Sequence, residues 1–565
     1  METLPPEIVL TILEHCVASH YGDKNALLSL RTVCKLFDDI LKPIVLRTLQ
    51  LEFTRLDKVS RSCRPPDEDA LQRIGHLCQA LYLDMMMIRD DGEVRYLGKI
   101  FSHVPTMDYF METLRERYCM NEGSFTELDY RERLGSLLEH TPNMSAVRLN
   151  LPFQLISHHC RAATMILGNT MEALAQRPED SMPLRTLVVE NLTDTTVVKL
   201  WHNPRDVKNI MDVFSGLEHL ILSVRRHEPG QSLAVIFRNR LWEMIGKAPN
   251  LKSLCLVGLD VDEKQAPPQS QYVKTTTERD LTLDEWQFRC MPTIRKPPKS
   301  VMPHLACLEL RRVEVAAYGL ISMFQCFSTS LRELYLDYVY LKTVNASDSP
   351  EETDDCLWVG LPNVQPPPNH RWIAVHLRQM RAQLRVCRAS NLGYDQYILG
   401  DLASALPPAY DLRDPSGLFR PLERRFVEVA LGYRQPPDYD GSPVAFLPED
   451  PDSQPWALAD REPPSQPRRP DAEFGDLASE DPKTAWWSAE NHLESASHRK
   501  NTTSGWQRNG IDGRFPNCNP FTLHELQHIA DTALEGMSLV QMLEGGRLQD
   551  EILADLAAVN GQTEE

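Results

Sequence analysis

Leu217-Glu218-His219-Leu220-Ile221-Leu222 and, 34 residues on, Leu251-Lys252-Ser253-Leu254-Cys255-Leu256 share one spacing, Leu-x-x-Leu-x-Leu. The same spacing, with conservative replacements, occurs at Leu46, Leu49, Leu51; Cys78, Leu81, Leu83; Met144, Val147, Leu149; Leu184, Leu187, Val189; Leu305, Leu308, Leu310; and Leu331, Leu334, Leu336. The last two apolar positions alternate with a non-leucine position, which is the period of a strand with one buried face. Between them lie segments such as Leu233, Ile236, Phe237, Leu241, Met244 and Ile245, whose apolar spacing of three and four is that of a helix. A strand, a turn and a helix form a unit that cannot bury its apolar face alone, so successive units must stack. The expected fold class is therefore an α/β solenoid, with a parallel sheet on its concave side and helices outside.

The pattern resembles leucine-rich repeats of the longer, irregular kind, and the reading left open beside it is an ordinary α/β domain with leucine-rich strands. The repeat starts lie 32, 66, 40, 33, 34, 54 and 26 residues apart, so the two long intervals hold either a missed repeat or an insertion. Two insertions are marked by composition. Residues 262–300 contain Pro267-Pro268 and Pro297-Pro298, and residues 345–369 contain an acidic run followed by Pro366-Pro367-Pro368. Beyond them, Trp372 to Leu384 reads as a helix, Leu384, Cys387 and Leu392 open a last degenerate repeat, and residues 407–432 close the exposed end.

The first residues hold a different pattern. Pro5 and Pro6 suit a helix start and Glu7 complements its dipole; Ile8, Ile12 and Cys16, with Val9 and Leu13 beside them, form an apolar stripe. After Gly22-Asp23, a second helix is expected from Ala26 through Leu27, Leu30, Val33, Cys34, Phe37, Ile40 and Leu41, with Pro43 stopping or bending it. Two such short helices cannot support a core of their own, so the repeats or another protein must cover them.

Leu4-Pro5-x-Glu7-Ile8, followed by Leu27-Leu28-Ser29-Leu30-Arg31-Thr32-Val33-Cys34-Lys35-Leu36-Phe37, resembles the F-box. An F-box running straight into irregular repeats is similar to the fungal F-box and leucine-rich-repeat family. The likeness is close over the motif and architectural over about 380 further residues. It implies the substrate-recognition subunit of an SCF-type cullin–RING ubiquitin ligase, without catalytic residues or cofactors, working in the cytoplasm or nucleus. Partners would be a Skp-type adaptor, through it a cullin, and a protein substrate on the repeats, with no nucleic acid and no membrane. The adaptor-facing positions would be Leu4, Pro5, Ile8, Ile12, Leu28, Leu30, Val33 and Phe37. A repeat scaffold without a ligase, whose N-terminal helices merely cap the first repeat, is the alternative.

The 565 residues are 42% hydrophobic and 25% charged, ordinary globular usage, but the charge is uneven. Residues 433–565 hold 24 Asp+Glu and 10 Lys+Arg, most of the whole chain's net −19, which disfavours a broad grip on phosphate backbones. With 13 prolines, residues 433–520 read as a disordered acidic linker in which Trp486, Trp487 and Trp506 either form a docking element or stand in a loop. The 13 cysteines, without a Cys-x-x-Cys pair, read as small buried hydrophobes in an intracellular chain that lacks a secretory leader or a membrane-spanning run. The expected organisation is thus an F-box-like module over 1–43, repeats over 44–345, an insertion, last repeat and cap over 346–432, the linker, and a helical tail over 521–560. His524-Glu525-Leu526-Gln527-His528 in the tail matches a zinc-hydrolase pattern, with His524 and His528 as metal ligands. No third histidine follows, and the plainer reading is an amphipathic helix with Leu523, Leu526, Ala530, Ala533 and Met537 on its apolar side.

Overall fold

The computed structural model describes 5–19, 24–53, 68–102, 104–152, 161–225, 231–258 and 302–342, then shorter stretches at 356–357, 371–379, 384, 386–390, 392–394 and 487–488, and single helical positions at 426–430 and 529–539. It forms two compact units. The first comprises 1–191, 199–213 and 512–565, and the second 192–198 and 214–511.

The first unit opens with three helices, α1 (Pro6–Ser19), α2 (Lys24–Arg31) and α3 (Lys35–Val45). The expected second helix is thus broken at Thr32, Val33 and Cys34. The Thr32 hydroxyl donates to the Ser29 carbonyl at 2.7 Å, a local bond that competes with helix continuation, and Val33 adds a second β-branched residue. Pro43 neither stops α3 nor ends it; it sits inside the last turn, and the helix runs to Val45.

Strands β1 (Thr48–Glu52) and β2 (Ala80–Asp84) flank a short α4 (Glu68–Ile74), and α5 (Asp91–Phe101), α6 (Asp108–Thr113) and α7 (Glu127–Glu139) follow. Then come β3 (Ala146–Asn150), α8 (Arg161–Ala175), β4 (Thr186–Thr193) and α9 (Pro204–Ser215). All the strand pairs are parallel, and the register joins Leu49, Leu81, Val147 and Leu187 in one row and Leu51, Leu83, Leu149 and Val189 in the next. Because β2 pairs directly with β3, the 66-residue interval is a helical insertion and not a missed repeat. A capping box fixes the start of α7: Thr126 Oγ1 accepts from the Asp129 amide at 3.1 Å, and Asp129 accepts from the Thr126 amide at 3.0 Å.

The second unit contains β5 (His219–Arg225), α10 (Gln231–Ile245), β6 (Ser253–Gly258), β7 (Cys307–Ala316), α11 (Ala317–Phe327) and β8 (Glu333–Lys342). After a small parallel pair, β9 (Cys356–Leu357) with β10 (Arg371–Trp372), come α12 (Ile373–Gln379) and β11 (Val386–Ser390). Here the register aligns Leu220, Leu254, Leu308, Leu334 and Cys387, then Leu222, Leu256, Leu310, Leu336 and Ala389. Residues 262–300 lie outside the described residues, but β6 pairs with β7 in register across that interval, so it too is an insertion.

The first apolar residue of each hexapeptide sits just before its strand, buried in the corner. That corner repeats one hydrogen-bond arrangement. Two successive amides donate to a single carbonyl of the preceding repeat: Gln79 and Ala80 to Arg47, Ser145 and Ala146 to Gln79, Lys252 and Ser253 to Glu218, Ala306 and Cys307 to Lys252. Parallel strands joined by helices keep both sheet faces covered, which is why the leucine rows are almost wholly buried.

Each unit also contains a segment from outside the repeats. Trp487–Ser488, inside the expected linker, forms β13, paired antiparallel with β11 after the short β12 (Gly393–Tyr394). In the first unit, Ile529, Thr532, Ala533, Gly536 and Leu539 are helical, and Ile529, Ala533 and Gly536 are buried. Ala533 was expected on the apolar side of this tail; Leu523, Leu526, Ala530 and Met537 lie outside the described residues. A Cβ on Gly536 would stand 2.6 Å from Met107 Cε and 2.9 Å from Phe101 Cε1, so glycine permits the close approach of tail to α5. Gly536→Leu is expected to lift the tail and to speed its removal by limited proteolysis at least several-fold; an unchanged digestion rate would contradict this packing. Phe426, Val427, Val429 and Ala430, within the expected end cap, are buried.

Candidate interaction surfaces

The three N-terminal helices pack through Val9 and Leu13 of α1, Leu27 of α2, and Phe37, Leu41 and Val45 of α3. Arg31 and Asp38 join α2 to α3 across the break, with Nη2 2.7 Å from Oδ1. That packing uses only one side of each helix. Ile8 (49% exposed), Leu10, Ile12, Val33 (57%), Leu36 and Ile44 remain open to solvent. Helix α1 carries apolar residues nearly all round, and a helix of that kind is normally covered on more than one side.

Of the residues expected to face a partner, Pro5, Ile8, Ile12 and Val33 are exposed, and Leu28 and Leu30 are half-buried against the small core. Phe37 is the correction: at 4% exposure it is part of that core, because the break at Thr32–Cys34 turns α3 and points its aromatic ring inward. Leu4 lies outside the described residues. Leu10, Leu36 and Ile44 are exposed as well, and the run Ile8-Val9-Leu10 already shows more apolar surface than one stripe needs.

The sheet face opposite the leucine rows is polar but buried: Tyr82, Asp84, Asn150, Glu309, Tyr335 and Arg388 are each at most 2% exposed. In the first unit Arg148 forms a bidentate pair with Glu190, both bonds 2.9 Å, and its guanidinium lies 5.0 Å from the centre of the Tyr82 ring. Asn150 donates to the Tyr82 hydroxyl at 2.6 Å, and that hydroxyl donates to Asp84 at 3.3 Å. In the second unit the register places Ile221, Cys255, Glu309, Tyr335 and Arg388 in one row. The Tyr335 hydroxyl donates to Glu333 at 3.0 Å, and Arg311 Nε stands 3.7 Å from Glu309.

Buried in this way, the rows hold their polar groups inside each unit, with the Cys255 thiol beside the Glu309 carboxylate. Burial, and then the charge of Asp91, pushes the Cys119 thiol up to about 12; burial followed by the charge of Glu309 does the same to Cys255 in direction. Both thiols are therefore held toward the protonated form, the weaker nucleophile. Of the described cysteines, Cys78, Cys119, Cys255, Cys307 and Cys387 are buried, Cys16 and Cys326 half-buried, and Cys34 exposed. Among the described residues no three His, Cys, Asp or Glu side chains are grouped to hold a metal, and His524 and His528 lie outside them. No described helix is long and apolar enough to cross a membrane. No protein-family model matches the chain, and no curated protein matches it significantly.

Proposed function

We propose that this chain is the substrate-recognition subunit of an SCF-type cullin–RING ubiquitin ligase. In this reading the three N-terminal helices are an F-box that docks a Skp-type adaptor, and the strand–helix units are leucine-rich repeats that hold a protein substrate. The observation that carries it is the set of exposed apolar side chains on the helical module, Ile8, Leu10, Ile12, Val33, Leu36 and Ile44, beside a core too small to need them. Apolar surface of that kind, gathered on one small module, marks an interface. The Leu-Pro-x-Glu-Ile start at Leu4 and the helix pair after Leu27 supply the residue pattern.

The chain itself need do no chemistry in this role. Holding a substrate near a ubiquitin-charged enzyme converts a bimolecular encounter into an effectively intramolecular one. Cytoplasm or nucleus, where such ligases work, is the implied location. Mixing the full chain with purified Skp-type adaptor should give a stoichiometric complex that co-elutes on size exclusion. Separate elution at micromolar concentrations would overturn the proposal and leave a repeat scaffold whose N-terminal helices are a cap.

A further inference from the structure

The helical insertion between β2 and β3 gives the tail an apolar seat within the first unit. Phe101 at the end of α5 and Met107, just before α6, stand against Gly536, and Phe110 of α6 lies 6.3 Å from Phe101, ring centre to ring centre. Aromatic rings and thioethers are enriched at protein interfaces, and the thioether adapts to the shape it meets.

What fills the seat is small. Ile529, Ala533 and Gly536 recur at a spacing of four and three, which is one face of a helix, and all three are buried. Alanine and glycine let the backbone come close but bring little apolar area, and glycine inside a helix weakens it. The tail is therefore ordered by its seat more than by its own helix propensity. Its tether is also long. The nearest described residue before Ile529 is Ser488 of β13, in the second unit, and 40 residues lie between them. A stretch of that length spans up to about 130 Å when extended, enough to reach a neighbouring copy. Closing the contact within one chain also carries a loop-closure cost that the same contact between two chains does not.

We propose that the tail is a releasable strap, and that its seat on Phe101 and Met107 is a docking site for the tail of a second copy, so that two copies associate by exchanging tails. Both halves of the contact are present in every chain, and exchange rebuilds the side-chain contacts of the closed form, changing only the tether and the association. Release bares the Phe101 ring and the Met107 thioether, and the helix face that already fits them covers them again. This site lies outside the N-terminal module and does not depend on adaptor binding.

The test uses two full-length variants, each lacking one half of the contact. Gly536→Leu keeps the seat but has a tail that cannot enter it, and Met107→Trp fills the seat but keeps a free tail. Each alone should be monomeric by size exclusion with light scattering, and an equal mixture at sub-millimolar concentration should give a heterodimer that Ile529→Asp in the Met107→Trp chain abolishes. A synthetic peptide of residues 521–545 reads the same contact without the Met107→Trp chain. It should bind the Gly536→Leu chain at least about 10-fold more tightly than wild type, whose own tail occupies the seat. Monomers only in a mixture of two folded variants, dimerisation of either variant alone, a heterodimer that survives Ile529→Asp, or equal peptide binding by the Gly536→Leu and wild-type chains would overturn the proposal.

Discussion

Replacing Ile8 and Ile12 with glutamate is expected to eliminate adaptor binding while the three-helix module stays folded. The two side chains lie one helical turn apart on α1, 49% and 38% exposed, so glutamate at either position meets solvent and costs little in the isolated chain. In a complex they would be buried. Losing two buried aliphatic side chains forfeits about 1.5–3 kcal/mol each before the desolvation of two charges is added, so the affinity should fall more than about 100-fold. Calorimetry against a Skp-type adaptor reads the affinity and thermal unfolding reads the fold. Phe37→Ala separates the two effects. That ring is core, and its removal should cost about 3–5 kcal/mol and loosen the whole module. Wild-type affinity in a folded I8E/I12E variant would remove α1 from the interface.

The largest stability effect is expected at Gly75, in the corner between α4 and β2. A Cβ there overlaps the backbone carbonyl oxygen of His140, which closes α7, and lies 3.5 Å from the His140 Cβ. The obstacle is main chain, so no rotamer change relieves it. The Gly75 carbonyl also accepts the Cys78 amide at 2.9 Å, and Cys78 is the first apolar residue of its repeat. Shifting this corner displaces the row in which Leu81 meets Leu49 and Val147. Gly75→Val should therefore exceed the roughly 1–3 kcal/mol common for overpacking, and with about 2–4 °C per kcal/mol for a unit of this size the first unit should melt about 6–12 °C lower. Scanning calorimetry is the check, and a shift below about 2 °C would show that the corner yields easily.

Every strand carrying a leucine hexapeptide was legible in the sequence because a strand needs only alternation, and Leu-x-Leu supplies it locally. What spacing alone left open was topology. The interval from Cys78 to Met144 reads equally as a lost repeat or an insertion, and only the pairing of Leu83 with Leu149 decides. Helix breaks were harder still. The apolar periodicity of Leu30, Val33 and Phe37 continues straight through the break, whereas the structure ends α2 at Arg31 through the Thr32–Ser29 bond. Which side of α1 is open was illegible for the same reason, since Ile8 and Val9 are equally apolar and only packing against Phe37 and Leu41 separates them. The polar network of Tyr82, Arg148, Asn150 and Glu190 joins residues up to 108 positions apart, with no local signature in the chain.

The most direct test of the central claim is hydrogen exchange on the full chain with and without a Skp-type adaptor. The account predicts slowed exchange over α1, α2 and α3, with the repeat strands unchanged. Protection confined to the repeats, or none anywhere at saturating adaptor, would contradict it.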